Sequence, residues 1–170
     1  MIIRLAKIAL SLSLTIFTFL VALNNAIDYE SNFQFVKHVL SMDTTFPNNR
    51  LMSRAITEPF ILHGSYWLII AVQGVTCILF LVGTYALWRS RFGDRATFDA
   101  AKNHFTIGCM FGFVLWFVGF LAIGGEWFAM WQSKIWNGQE SAFRFYMTIL
   151  VALIFVNQPD RDLQSPQTQR

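Results

Sequence analysis

The side chains best able to bind or react are concentrated in one stretch. Gly124-Gly125-Glu126-Trp127-Phe128-Ala129-Met130-Trp131-Gln132-Ser133-Lys134-Ile135-Trp136-Asn137-Gly138-Gln139 joins two long apolar runs and combines tryptophans with a carboxylate and a lysine. Glu126 and Glu58, set beside Trp127 and Trp131, could line a cleft for a cationic or polar head group, since aromatic faces attract cations. A structural role competes with this and is the favoured expectation. In it Glu126, ending the third apolar run, pairs with Arg144 near the start of the fourth and fixes their register; Glu140, one helical turn before Arg144, is a rival partner. The tryptophans also suit an interfacial belt at head-group depth, where indole rings are enriched. A belt does not account for Gly124-Gly125, which suggests close packing or a bend.

Other chemistry finds little support. His63 falls at one end of the second apolar run and His104 at the opposite end, before the third, so they cannot share a haem; His38 could meet His63 but lacks a second pair of ligands. Cys77 and Cys109 lie inside apolar runs and read as small buried hydrophobes. No phosphate-cradling glycine loop, nucleophile elbow or zinc motif occurs, and no acid, base and nucleophile set can be named. The expectation is a non-enzymatic protein with no cofactor and no metal.

The elements that must position these residues are membrane spans. Hydrophobic residues make up 55% of the chain and charged residues only 14%, against about a quarter in soluble domains. The charges avoid four long windows, because one Lys, Arg or Asp at a span's centre costs roughly 2.5 to 3.5 kcal/mol. The net charge of +3 is spread over several connections, which argues against nucleic acid as a partner and for the lipid bilayer. The fold class is all-α: a polytopic four-helix transmembrane bundle over 1–156, with spans at about 5–26, 62–88, 105–126 and 142–157, and a disordered cytoplasmic tail at 158–170.

Within these spans the polar residues form stripes. Ser11, Thr15, Thr18, Ala22 and Asn25 recur at intervals of four and three and share a narrow face, as expected of a helix that packs closely and hydrogen-bonds across the contact. A signal peptide has no need of that face, and the run is slightly long for one. Gln73, Cys77 and Thr84 share a face of the second span, with Gln73 near mid-membrane as interhelical glue. Gly108, Gly112 and Gly119, with Glu126 seven residues on, align on an ideal α-helix, which aims the carboxylate at protein rather than lipid.

The connections differ in kind. Residues 27–62 are too charged to span and too long to idle, and two short amphipathic helices are expected there, divided by the turn around Pro47. Residues 89–104 carry Arg89, Arg91, Arg95 and Lys102; with Arg4 and Lys7 they give a positive-inside arrangement, with both termini cytoplasmic and the long first connection and tryptophan stretch outside.

Trp88-Arg89, Phe98-Asp99-Ala100-Ala101-Lys102, the stretch from Gly124 to Ser133, Trp136-Asn137-Gly138-Gln139 and Phe143-Arg144-Phe145 together resemble the bacterial family of predicted small integral membrane proteins known as DUF2165. The likeness runs from the first helix to about Asp160. It implies four transmembrane helices in the bacterial cytoplasmic (inner) membrane, and brings no activity, ligand or catalytic residue. The functional expectation is a non-catalytic accessory or assembly partner that uses its outer loops for recognition of another membrane protein, or a homo-oligomer. The alternative is a small transporter or a lipid- or small-molecule-binding protein with a site near Glu126, and a membrane enzyme ranks third.

Overall fold

The computed structural model describes residues 1–160 and is helical throughout its regular structure. Helix α1 spans Ile2–Ile27, α2 Tyr29–Ser41, α3 Pro59–Arg89, α4 Arg95–Phe113 and α5 Gln139–Asn157. A wider π-helical segment, Val114–Trp127, continues α4 without a break. Helices α1, α3, the joined α4 and π segment, and α5 are each long and apolar enough to cross a bilayer. The protein is therefore an all-α four-span bundle, closed at one end by a cap of α2 and two loops.

Each boundary has a local cause. Pro59 opens α3, where its missing N–H is no loss. The Asp94 side chain accepts from the Thr97 backbone N–H at 2.8 Å and starts α4 there, so the basic connection shrinks from the expected 89–104 to a tight turn. Of the two short helices expected in 27–62, only α2 forms; the second is a single turn, Met52–Arg54, because Ile56 N–H bonds to Leu40 O at 2.8 Å and the chain runs extended along α2.

The polar stripes find each other. Thr84 Oγ1 lies 2.7 Å from Ser11 Oγ and 3.0 Å from Thr15 Oγ1, and Asn25 Nδ2 donates to Gln73 Oε1 at 2.7 Å, so α1 and α3 are joined along the membrane interior by hydroxyls and carboxamides. Lipid is as apolar as leucine, so such bonds and close contact hold spans together where hydrophobic burial cannot. Glycines supply the close contact: a Cβ on Gly83 would sit 2.7 Å from the Phe105 backbone, one on Gly108 2.9 Å from Phe80, and one on Gly112 2.8 Å from Ile149.

The glycine line stops at Gly112. Beyond Phe113 the backbone bonds from residue i to i+5, as in Phe128 N–H to Ile123 O at 3.0 Å, and an i→i+5 helix turns about 80° per residue instead of about 100°. Over the seven residues from Gly119 to Glu126 the accumulated difference carries Glu126 about 140° away from the expected face. Glu126 is accordingly exposed, correcting the expectation that it points into the bundle, and Gly119 meets only its own helix. Nothing in the side-chain pattern specifies this wider winding.

At the end carrying the N-terminus, charges are buried. Arg4 donates from Nη1 to the carbonyls of Arg91 and Gly93, at 3.1 and 2.6 Å, and lies over the Phe98 ring. Lys7 and Lys102 both reach Asp160, at 2.8 and 2.5 Å, and both donate to the Gln158 carbonyl. The segment expected as a disordered tail thus begins docked against the bundle, and residues 161–170 lie outside the described residues.

Candidate functional site

The five residues singled out by sequence do not converge. Glu58 precedes α3 and is exposed. Glu126 is exposed and has no ion-pair or hydrogen-bond partner among the described residues. Trp127 takes Arg54 instead: the guanidinium lies 4.3 Å from its ring and donates to its carbonyl at 3.1 Å. Trp131 packs edge-on against Phe46. Arg144 pairs with Glu140 one turn earlier, both exposed, so the expected Glu126–Arg144 register lock is replaced by its rival. The reason is again the π segment, which turns Glu126 away from α5.

Another site lies between the cap and the bundle. A cavity of about 410 Å³, within the size range of ligand pockets, is bounded by Val21 and Asn25 of α1, Asn32 and Phe35 of α2, and Tyr66, Ile69 and Gln73 of α3. Trp116 and Phe120 of the π segment, the 135–138 loop, and Ser141 and Phe145 of α5 complete the wall. Gln73 and Trp116 form its floor, since the space beneath them shrinks to about 10 Å³, at the lower limit for one water. Its roof is Trp136, stacked on His38 at 4.8 Å, with His38 Nδ1 in turn 2.8 Å from Asp43.

Glycines bring the roof down. A Cβ on Gly138 would sit 2.8 Å from the Phe35 ring, so glycine admits an approach that alanine would crowd, whereas one on Gly125 would meet the movable end of the Gln139 side chain at 2.5 Å. At Ala129 the chain takes a left-handed turn (φ 51°), and Phe128, Ala129 and Met130 join Val39 and Met42 in the core of the cap. The cap is tied by Gln132 Oε1, which accepts from Phe46 N–H and Asn49 Nδ2, both at 3.1 Å.

The polar groups of the cavity are nearly all spoken for. Tyr66 donates to the Asn25 carbonyl at 3.0 Å, satisfying an acceptor near the end of α1 that has no partner within the helix. The Asn25 carboxamide holds Gln73 Oε1. Two buried residues of the wall keep a donor without a partner among the described residues: Gln73 at its NH₂, and Trp116, 4% exposed, at an Nε1–H that is itself closed off from the open space. An orphaned donor in a low-dielectric interior costs about 1 to 3 kcal/mol, more than a structure normally leaves unmet.

The geometry matches what the chain resembles. A family model described as "Predicted small integral membrane protein (DUF2165)" matches residues 3–159. The chain belongs to that family. No curated protein and no solved structure matches it. Membership in DUF2165 and the four apolar helices agree that the protein is integral to a membrane. The family description assigns no activity, so what the DUF2165 cavity can do rests on its lining: hydrogen bonds from carboxamides and indole, and aromatic or aliphatic walls, which is the chemistry of binding.

Sequence reasoning noticed Asn25 and Gln73, and for Gln73 favoured interhelical glue over a ligand contact. It passed over Trp116, whose signal was its place: the other tryptophans flanking this helix sit near its end, whereas Trp116 lies well inside an apolar run, away from the interface where indoles are enriched.

Proposed function

We propose that this protein is a membrane-embedded binding protein whose cavity, between the Gln73–Trp116 floor and the Trp136 roof, holds a small molecule. The observation that carries this reading is the cavity itself, about 410 Å³ and lined by carboxamides and by aromatic and aliphatic side chains, the make-up of a small-molecule pocket. It moves the binding alternative away from Glu126, which lies outside the cavity, to the seam between α1, α3, the π segment and α5.

The test is purification from native membranes in mild detergent, followed by mass spectrometry under non-denaturing and extracting conditions. Ser141→Trp is the control, because Ser141 lines the cavity yet is exposed, so a bulky side chain there fills space without disturbing the core. A small molecule that accompanies the wild type and is lost from Ser141→Trp supports the reading; identical preparations from both overturn it.

A second reading, an accessory or assembly partner recognising another membrane protein through its loops, draws on the outer face of the cap. There Ile135, Trp127 and Trp131 are 77%, 54% and 48% exposed. A stoichiometric protein in the same preparation, lost on Ile135→Glu but kept on Ser141→Trp, would favour it.

A further inference from the structure

We infer that the cavity takes a neutral amphiphile from the bilayer, oriented with an oxygen acceptor at the floor against the Gln73 amide. The inference rests on the binding reading above and names the class of ligand. Charge decides the first half. Among the described residues no Asp, Glu, Lys, Arg or His lines the cavity, so an ionic head would sit there unpaired, at a cost of several kcal/mol for a charge removed from water. The carboxamides of Asn25, Asn32, Gln73 and Asn137 suit uncharged polar groups instead.

Donor and acceptor roles decide the orientation. Gln73 Oε1 is engaged by Asn25, which leaves the Gln73 NH₂ as its free end. A donor at the floor calls for a carbonyl, ether or hydroxyl oxygen. The walls above are Val21, Phe35, Ile69, Phe120 and Phe145, which would leave a wholly polar solute unsatisfied but suit an alkyl or acyl portion.

Depth and access point to the bilayer as the source. Gln73 lies fourteen residues past Pro59, about 21 Å along α3, so the floor is well inside a hydrocarbon layer of about 30 Å. Val21 and Asn25 of α1 and Ser141 and Phe145 of α5 border the cavity, and α1 and α5 touch only sparsely.

The experiment uses the full chain in phosphatidylcholine nanodiscs and three probes with the same ten-carbon tail: monodecanoylglycerol, decanoate and decyltrimethylammonium. Binding is read as a saturable rise in Tm and a change in tryptophan fluorescence, for wild type and Ser141→Trp. The neutral glyceride is expected to bind the wild type and to lose binding in Ser141→Trp. If a charged probe, or a charged molecule accompanying the native protein, binds as well and is equally blocked by Ser141→Trp, the site stands and the neutral class is wrong. If no probe and no accompanying molecule is sensitive to Ser141→Trp, the site and the class fall together.

Discussion

Asp160 shows how much one side chain can hold. Its carboxylate receives Lys7 and Lys102 from two different spans, all three buried, so α1, α4 and the segment after α5 meet at a single group. Burial alone would raise the carboxyl, but hydrogen bonds and charge from Lys102 and Lys7 outweigh it and hold the group below the ordinary carboxylate range. A folded value below the unfolded value of about 3.9 means its stabilisation is complete above that pH and is lost as acid titrates the folded form. Scanning fluorimetry in detergent should therefore show Tm steady from pH 8 to 5 and falling below about pH 4. Asp160→Asn should remove much of that acid step and cost about 3 kcal/mol at neutral pH, since it leaves two buried ammonium groups without their counter-charge. Glu126 gives the opposite case: Glu126→Gln should leave Tm within about a degree of wild type, because the carboxylate is exposed and unpaired among the described residues. A clear fall in Tm would mean Glu126 has a partner in the membrane.

Helices here are joined by contact that tolerates no added atoms. Gly83→Ala should destabilise by about 1 to 3 kcal/mol, because its Cβ would meet Phe105 backbone, which cannot swing aside. Gly119→Ala should be tolerated, since its nearest new neighbour is Leu115 at 3.9 Å in its own helix. Equal unfolding temperatures for the two variants would contradict this account of α3–α4 packing. Thr84→Val should cost about 1 kcal/mol by stranding the Ser11 hydroxyl at the α1–α3 contact, whereas Thr15 keeps its bond to the Ser11 carbonyl. The α1 stripe was legible in sequence because a fixed period of 3.6 projects its residues onto one line. The line from Gly119 to Glu126 was misread for the same reason: the period changes at Val114, and no residue type announces it.

The whole molecule is a four-span bundle whose cap folds over a cavity that the spans leave open. Four crossings place both termini on one side, and the positive-inside pattern makes that side the cytoplasm, which we propose for this chain. A membrane-impermeant thiol reagent should then label Ile135→Cys in intact cells and Phe92→Cys only after permeabilisation; the reverse pattern would invert the assignment. Both positions are exposed, at 77% and 69%, while native Cys109 is fully buried and Cys77 half-buried within a span.

The chain by itself determined its class, its four spans and the hydroxyl stripe of α1, because hydrocarbon imposes length and polarity on each span separately and a regular helix turns spacing into facing. Only the tertiary structure decided that the stripe meets Thr84 and Gln73, that Glu126 turns outward, and that Gln73 and Trp116 come together at the floor of an open space. A cavity is made by what fails to pack among residues as far apart as Val21 and Phe145, and no local pattern encodes a space.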